Sequence, residues 1–210
     1  MITTKNVNSA LEMYENVFTA EKLQATISFT SLFVLLFESF KYMVVDKPKG
    51  LYCWKDMKVE DGKFIYKESE KYKQKVRSLD KKLFHASLKW FLERDVITEA
   101  DYNRTLEAES RRNEFVHELA VIVNYGVTEG DKKLLTDLFS IYMKIDSWWI
   151  YQEIDWDEIE DPEKIRMEEC HSVMVTMIGS MIEILLDGKA DTYKNAYLRL
   201  QEKVMKNVVK

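Results

Sequence analysis

Apolar residues recur along most of this chain at intervals of three and four, the spacing that gathers side chains on one face of an α-helix. Leu11, Val17, Leu23 and Ile27 open the series, behind Ser9 and Glu12, which stand at capping-box spacing. The stretch ISFTSLFVLLFESFKYMVV continues it as a long, increasingly buried helix to about Val45, where Asp46, Pro48 and Gly50 should stop it. One segment breaks the helical rhythm. LYCWKDMKVEDGKFIYKE places Asp61-Gly62 between two short apolar-bearing runs and predicts a two-residue hairpin, within an insertion spanning 46–67.

Helical spacing resumes with Val76, Leu79, Leu83, Leu88 and Phe91. Thr98, with Asp101 three residues on, can cap the next helix, which the pattern carries unbroken to about Tyr125. Another helix is predicted over about 131–152, ending in the aromatic cluster Trp148, Trp149 and Tyr151. The acidic run DWDEIEDPE then leads to two more, about 163–186 and 191–207. The reading is one all-α domain over 1–210, a helical bundle with a small β-hairpin insertion.

Composition narrows this further. Six glycines and two prolines in 210 residues are too few turn formers for a sandwich, barrel or propeller. Two cysteines, Cys53 and Cys170, cannot make a CxxC site and fit a reducing compartment. The amino terminus has no basic start followed by an apolar core, so no signal peptide is read. The apolar stretch around Phe33 is of spanning length but carries Glu38 and Lys41, which favours a core helix over a membrane span. A cytoplasmic protein without membrane association is the expectation. A formal charge of −5 does not announce a polyanion binder, yet the charges are segregated. Residues 46–82 hold 12 basic and 7 acidic side chains, while 146–169 hold 10 acidic and 2 basic.

The helix containing SRRNEFVHELA carries the chemistry. Phe115, Val116, Leu119, Ala120, Ile122 and Val123 share one arc, which should face the core. Asn113 and His117, four apart, are neighbours at its edge. Arg112 falls inside the arc, where an unpaired guanidinium would cost several kcal/mol, so it needs a carboxylate, a ligand anion or a wet groove. Glu38 is the candidate protein partner.

Arg112, Asn113 and His117 form an Arg-Asn-x-x-x-His pattern that resembles the mark of the HEPN domains (higher eukaryotes and prokaryotes nucleotide-binding). On background composition this form arises about 0.004 times in a chain like this one, which makes it moderately specific. The resemblance implies a HEPN-like bundle and metal-independent endoribonuclease activity in toxin–antitoxin, abortive-infection or other defence systems. It also implies a twofold homodimer and an antitoxin protein as partner. Leu119 stands where some members paired with a nucleotidyltransferase carry a tyrosine, so regulation through that tyrosine is not carried over.

The chemistry of such a reaction is consistent with these residues. An imidazole transfers protons near neutrality and a guanidinium holds phosphate, so His117 is assigned to proton transfer, Arg112 to the phosphate and Asn113 to orientation, with Arg111 as a substrate-binding candidate. One helix offers a single histidine, and two facing copies would supply an acid and a base in a composite cleft over RNA. No cofactor or metal is called for. Two other classes stay open: a catalytically inactive HEPN-like module binding nucleic acid or a partner protein, and an interaction protein acting through its acidic, tryptophan-bearing surface. His85 reads as a half-buried structural residue. Adjacent Cys170 and His171 point 100° apart on a helix, which argues against zinc.

Overall fold

The computed structural model describes residues 4–60, 63–159 and 161–188. The predicted turn Asp61-Gly62 and the predicted helix at 191–207 lie outside the described residues. Its elements are α1 (Thr4–Phe18), α2 (Ala20–Cys53), β1 (Met57–Glu60), β2 (Lys63–Tyr66), α3 (Glu70–Lys75), α4 (Leu83–Leu92), α5 (Glu99–His117), α6 (Leu119–Tyr125), α7 (Glu129–Glu153) and α8 (Val173–Asp187). The architecture is all-α, and its hairpin is narrower than the predicted insertion. β1 and β2 pair antiparallel with Glu60 opposite Lys63, as a two-residue connection requires.

The core grows along α2. Phe29, Phe33, Leu36, Phe37, Phe40 and Val44 repeat at helical spacing and are all buried. Phe84, Leu88, Trp90 and Phe91 of α4 and Leu134, Leu135, Leu138, Ile141, Tyr142 and Ile145 of α7 close over them. By length and composition α2 could cross a membrane, but it packs against α4, α5, α7 and α8 and is the axis of the bundle.

Four boundaries differ from the sequence reading. The helix predicted from Ser9 to Val45 is two, separated at Thr19. α2 then runs through Pro48 and Gly50 to Cys53 rather than stopping at Asp46, because Pro48 and Cys53 are buried, and that burial offsets the one backbone donor a proline removes. The helix predicted to run unbroken to Tyr125 parts at Glu118 (φ −121°, ψ 25°), so α5 ends at His117 and α6 takes a new course onto α1. Residues 163–169 form 3-10 turns instead of the first turns of α8.

Caps set the starts of the helices that matter for the site. Thr98 Oγ1 accepts from the Asp101 N–H at 3.1 Å and the Asp101 carboxylate accepts from the Thr98 N–H at 3.0 Å, fixing the first turn of α5. Thr128 and Asp131 repeat the device at α7. α5 then lies antiparallel to α2. Phe115 sits edge-on between Phe29 and Phe33, with ring centroids 6.2 and 5.0 Å away, whereas Arg112, a turn earlier, meets Glu38 further along α2. Phe115→Ala should lower unfolding stability by about 3–5 kcal/mol in chemical denaturation, and Val116→Ala, on the exposed side, by about 0.5 kcal/mol or less.

Candidate functional site

The buried edge of α5 determines where its polar residues point. With Phe115 only 2% exposed, Arg111 and Arg112, four and three residues earlier, emerge on opposite flanks of the contact with α2. Arg111 turns toward α7. Its Nε donates to Asp131 Oδ1 at 2.6 Å and its Nη2 to Oδ2 at 3.0 Å, Nη1 pairs with Glu114, and the guanidinium covers the Phe115 ring at 4.6 Å. All three guanidinium nitrogens are committed. The expected substrate-binding role of Arg111 finds no free edge here, because Asp131, only 5% exposed, requires a counter-charge.

Arg112 turns toward α2. Its Nη1 donates to Asn113 Oδ1 at 3.0 Å, and Nη2 meets Glu38 Oε1 as a close ion pair rather than an aligned hydrogen bond. Its Nε is buried and meets no acceptor among the described residues. Glu38 therefore does serve as partner, but the side chains are 24% and 43% exposed. Glu38 Oε1 is itself buried, so the pair lies between a surface pair, worth about 1 kcal/mol or less, and a sealed one, worth about 3–5 kcal/mol.

His117 ends α5, exposed, and none of its ring atoms meets a partner among the described residues. It stands one turn beyond Asn113 on the same stripe and about 140° around the helix from Arg112. The structure thus brings Arg112, Asn113 and Glu38 into contact, leaves His117 at the solvent edge beside Asn113, and shows no contact between His117 and Arg112.

The predicted core arc holds only in part. Phe115 and Ile122 are buried, but Val116 (44%), Leu119 (39%) and Ala120 are exposed and Val123 is half-buried. The break at Glu118 is the reason: beyond it the chain follows α6 toward α1, and the side chains flanking His117 lose their cover. On antiparallel α2, Ile27 (43%) and Leu35 (46%) are also exposed. Leu35, three residues before Glu38, and Val116, four after Arg112, are helix-face neighbours of the pair and place exposed apolar side chains beside it.

The remaining histidines are held within the fold. His85 Nε2 pairs with Glu109 Oε2 at 2.7 Å, tying α4 to α5. His171, which the sequence argues against as a zinc ligand, has its Nδ1 3.0 Å from Ser147 Oγ and 3.9 Å from the buried Asp146 carboxylate. Nothing in the spacing of Asp146, Ser147 and His171 announces that meeting, because the 3-10 segment joining them has no periodicity. No group of three or more His, Cys, Asp or Glu side chains fit to hold a metal occurs among the described residues. No family model, curated protein or solved structure matches the chain.

Asp131 provides a pH test of the clamp on α5. Burial alone would raise its pKa, but the Arg111 guanidinium and the N–H and hydroxyl of Thr128 outweigh burial and hold it below the ordinary 3.8. Its contribution is then full at neutral pH, declines as pH falls toward 3.8 and is gone below the lowered value. Asp131→Asn should cost about 3 kcal/mol or more at pH 7 by denaturant titration, and the gap to wild type should narrow below about pH 4.

Proposed function

We propose that the protein is a metal-independent endoribonuclease of HEPN type that acts as a twofold homodimer in a toxin, abortive-infection or other defence role. The contact of Arg112 with Asn113, on a helix whose next exposed residue along that stripe is His117, carries the reading. Arg112 would take the scissile phosphate through its guanidinium edge and His117 would move the proton of the attacking 2′-hydroxyl or of the leaving oxygen. Asn113, already bonded to Arg112, would orient it.

One protomer exposes a single such imidazole. Exposed apolar residues beside it on the chain, Val116 and Leu119, and on α2, Ile27 and Leu35, fit a second copy better than water, and a twofold axis there would bring two histidines and two arginines to one strand. Purified protein should cut single-stranded RNA in the presence of a chelator, and expression should arrest growth. His117→Ala and Arg112→Ala should each lower cleavage by about a hundredfold or more while melting within a few degrees of wild type. RNA left intact by folded wild type sinks the assignment.

The Arg112–Glu38 pair favours a second reading, in which the same helix belongs to a catalytically inactive module and the pair is structural. In that case Glu38→Gln and Arg112→Ala destabilise equally and RNA survives both wild type and variants. Under the nuclease reading Glu38→Gln, which releases the guanidinium, retains cleavage.

A further inference from the structure

A second feature lies away from α5's carboxy-terminal end and is independent of the nuclease reading. Between α7, the turn after α4 and the 3-10 segment before α8 there is a cavity of about 320 Å³, at the lower end of the range for small-molecule sites. Trp148, Met143 and Met167 supply apolar walls, and methionine sulfur and indole faces both favour an aromatic guest.

The polar groups at its rim are mostly acceptors. His171 is held by Nδ1 against Ser147 Oγ and the buried Asp146, whose carboxylate also accepts from the Ser172 N–H at 2.7 Å. Nε2, on the other edge of the ring, has no partner among the described residues, and in the neutral tautomer whose Nδ1–H donates to Ser147 Oγ it is an acceptor. Glu168 and Asp95 add two carboxylates. Lys144, the one cation lining the cavity, is already engaged by Asp101 at 2.9 and 3.0 Å.

Asp95 is the informative residue. The Asp95 N–H bonds to Leu92 O at 3.0 Å and the Val96 N–H to Phe91 O at 3.1 Å, the Schellman pattern that ends a helix on a left-handed residue, by preference glycine. Asp95 has φ +56° and is the one described non-glycine residue with positive φ. It also sets a negative charge at the carboxy-terminal end of α4, where the helix dipole disfavours one. Both features oppose folding, and a bound cation would offset the second.

We infer that this cavity binds a small organic ammonium ion bearing an aromatic ring, with the ring against Trp148 and the two methionines and the ammonium among Asp95, Glu168 and His171 Nε2. Calorimetric titration of the full chain with 2-phenylethylamine tests it, with phenylacetate as the charge-reversed control. The amine should bind with a Kd of about 1 mM or tighter, and phenylacetate about tenfold more weakly or not at all.

Asp95→Gly preserves the turn while removing the carboxylate, so it should raise the melting temperature and weaken the amine about fivefold or more. His171→Ala should weaken it comparably, and Arg112→Ala should leave it unchanged. The inference is overturned if the amine produces no binding heat up to about ten times that Kd, if phenylacetate binds as well, or if Asp95→Gly melts higher yet binds the amine like wild type. Because the readout is binding and not RNA cleavage, its outcome does not depend on whether the protein is a nuclease.

Discussion

The aromatic wedge of Phe115 between Phe29 and Phe33 is the constraint from which the rest of α5 follows. Burying a phenyl ring there contributes about 2–3 kcal/mol, and edge-to-face ring contacts add to it. That is enough to fix the rotation of a helix that is otherwise rich in charge. With the rotation set, Arg111 has α7 in front of it and Arg112 has α2, while Asn113 and His117 are left to solvent. The Arg111–Asp131 pair then pins the opposite flank, and α5 cannot roll without exposing a phenyl ring or stranding a buried carboxylate.

Much of this could be read from the chain. The α2 core stripe and the Thr98–Asp101 cap rest on local rules, period 3.6 and capping stereochemistry, and the structure follows them. So does the hairpin, whose Glu60–Lys63 register requires the two-residue connection that Asp61-Gly62 suggests. The partnership of Glu38 with Arg112 was also legible, since each is a lone charge in an apolar context. Pro48 misled because a helix terminator is a local statement, and burial of Pro48 and Cys53 is a tertiary one. The break at Glu118 had no signal: SRRNEFVHELAVIVNY contains neither glycine nor proline. The meeting of His171 with Ser147 and Asp146 was unreadable for a different reason, since it depends on how an aperiodic segment folds back on α7.

The Arg112–Glu38 contact bears differently on structure and on the proposed chemistry. The pair is partly exposed and imperfectly hydrogen-bonded, with Glu38 Oε1 and Arg112 Nε buried without an aligned partner, so it stabilises the fold less than a sealed, fully bonded pair. A phosphodiester offers the guanidinium two oxygens in the plane of its fork, where Glu38 reaches only Nη2 and leaves Nε without an acceptor. Exchange of the carboxylate for a phosphate would therefore complete the guanidinium's hydrogen bonding, and Glu38, already 43% exposed, would return to water at small cost. Under the proposed function the pair is a counter-ion that substrate displaces.

The two sites occupy opposite ends of one helix. Asp101, in the first turn of α5, holds Lys144 at the cavity wall, whereas His117 ends the same helix. At 1.5 Å per residue these points are about 24 Å apart. Each is bounded by its own fixed structure: the cavity by the capping box of α5 and the Schellman turn of α4, the Arg112 site by the phenyl wedge and the break at Glu118. Energetic coupling between them would require α5 to shift along its axis, and the wedge and the Arg111–Asp131 pair both oppose that movement. A ligand in the cavity and an anion at Arg112 should accordingly bind without influencing one another.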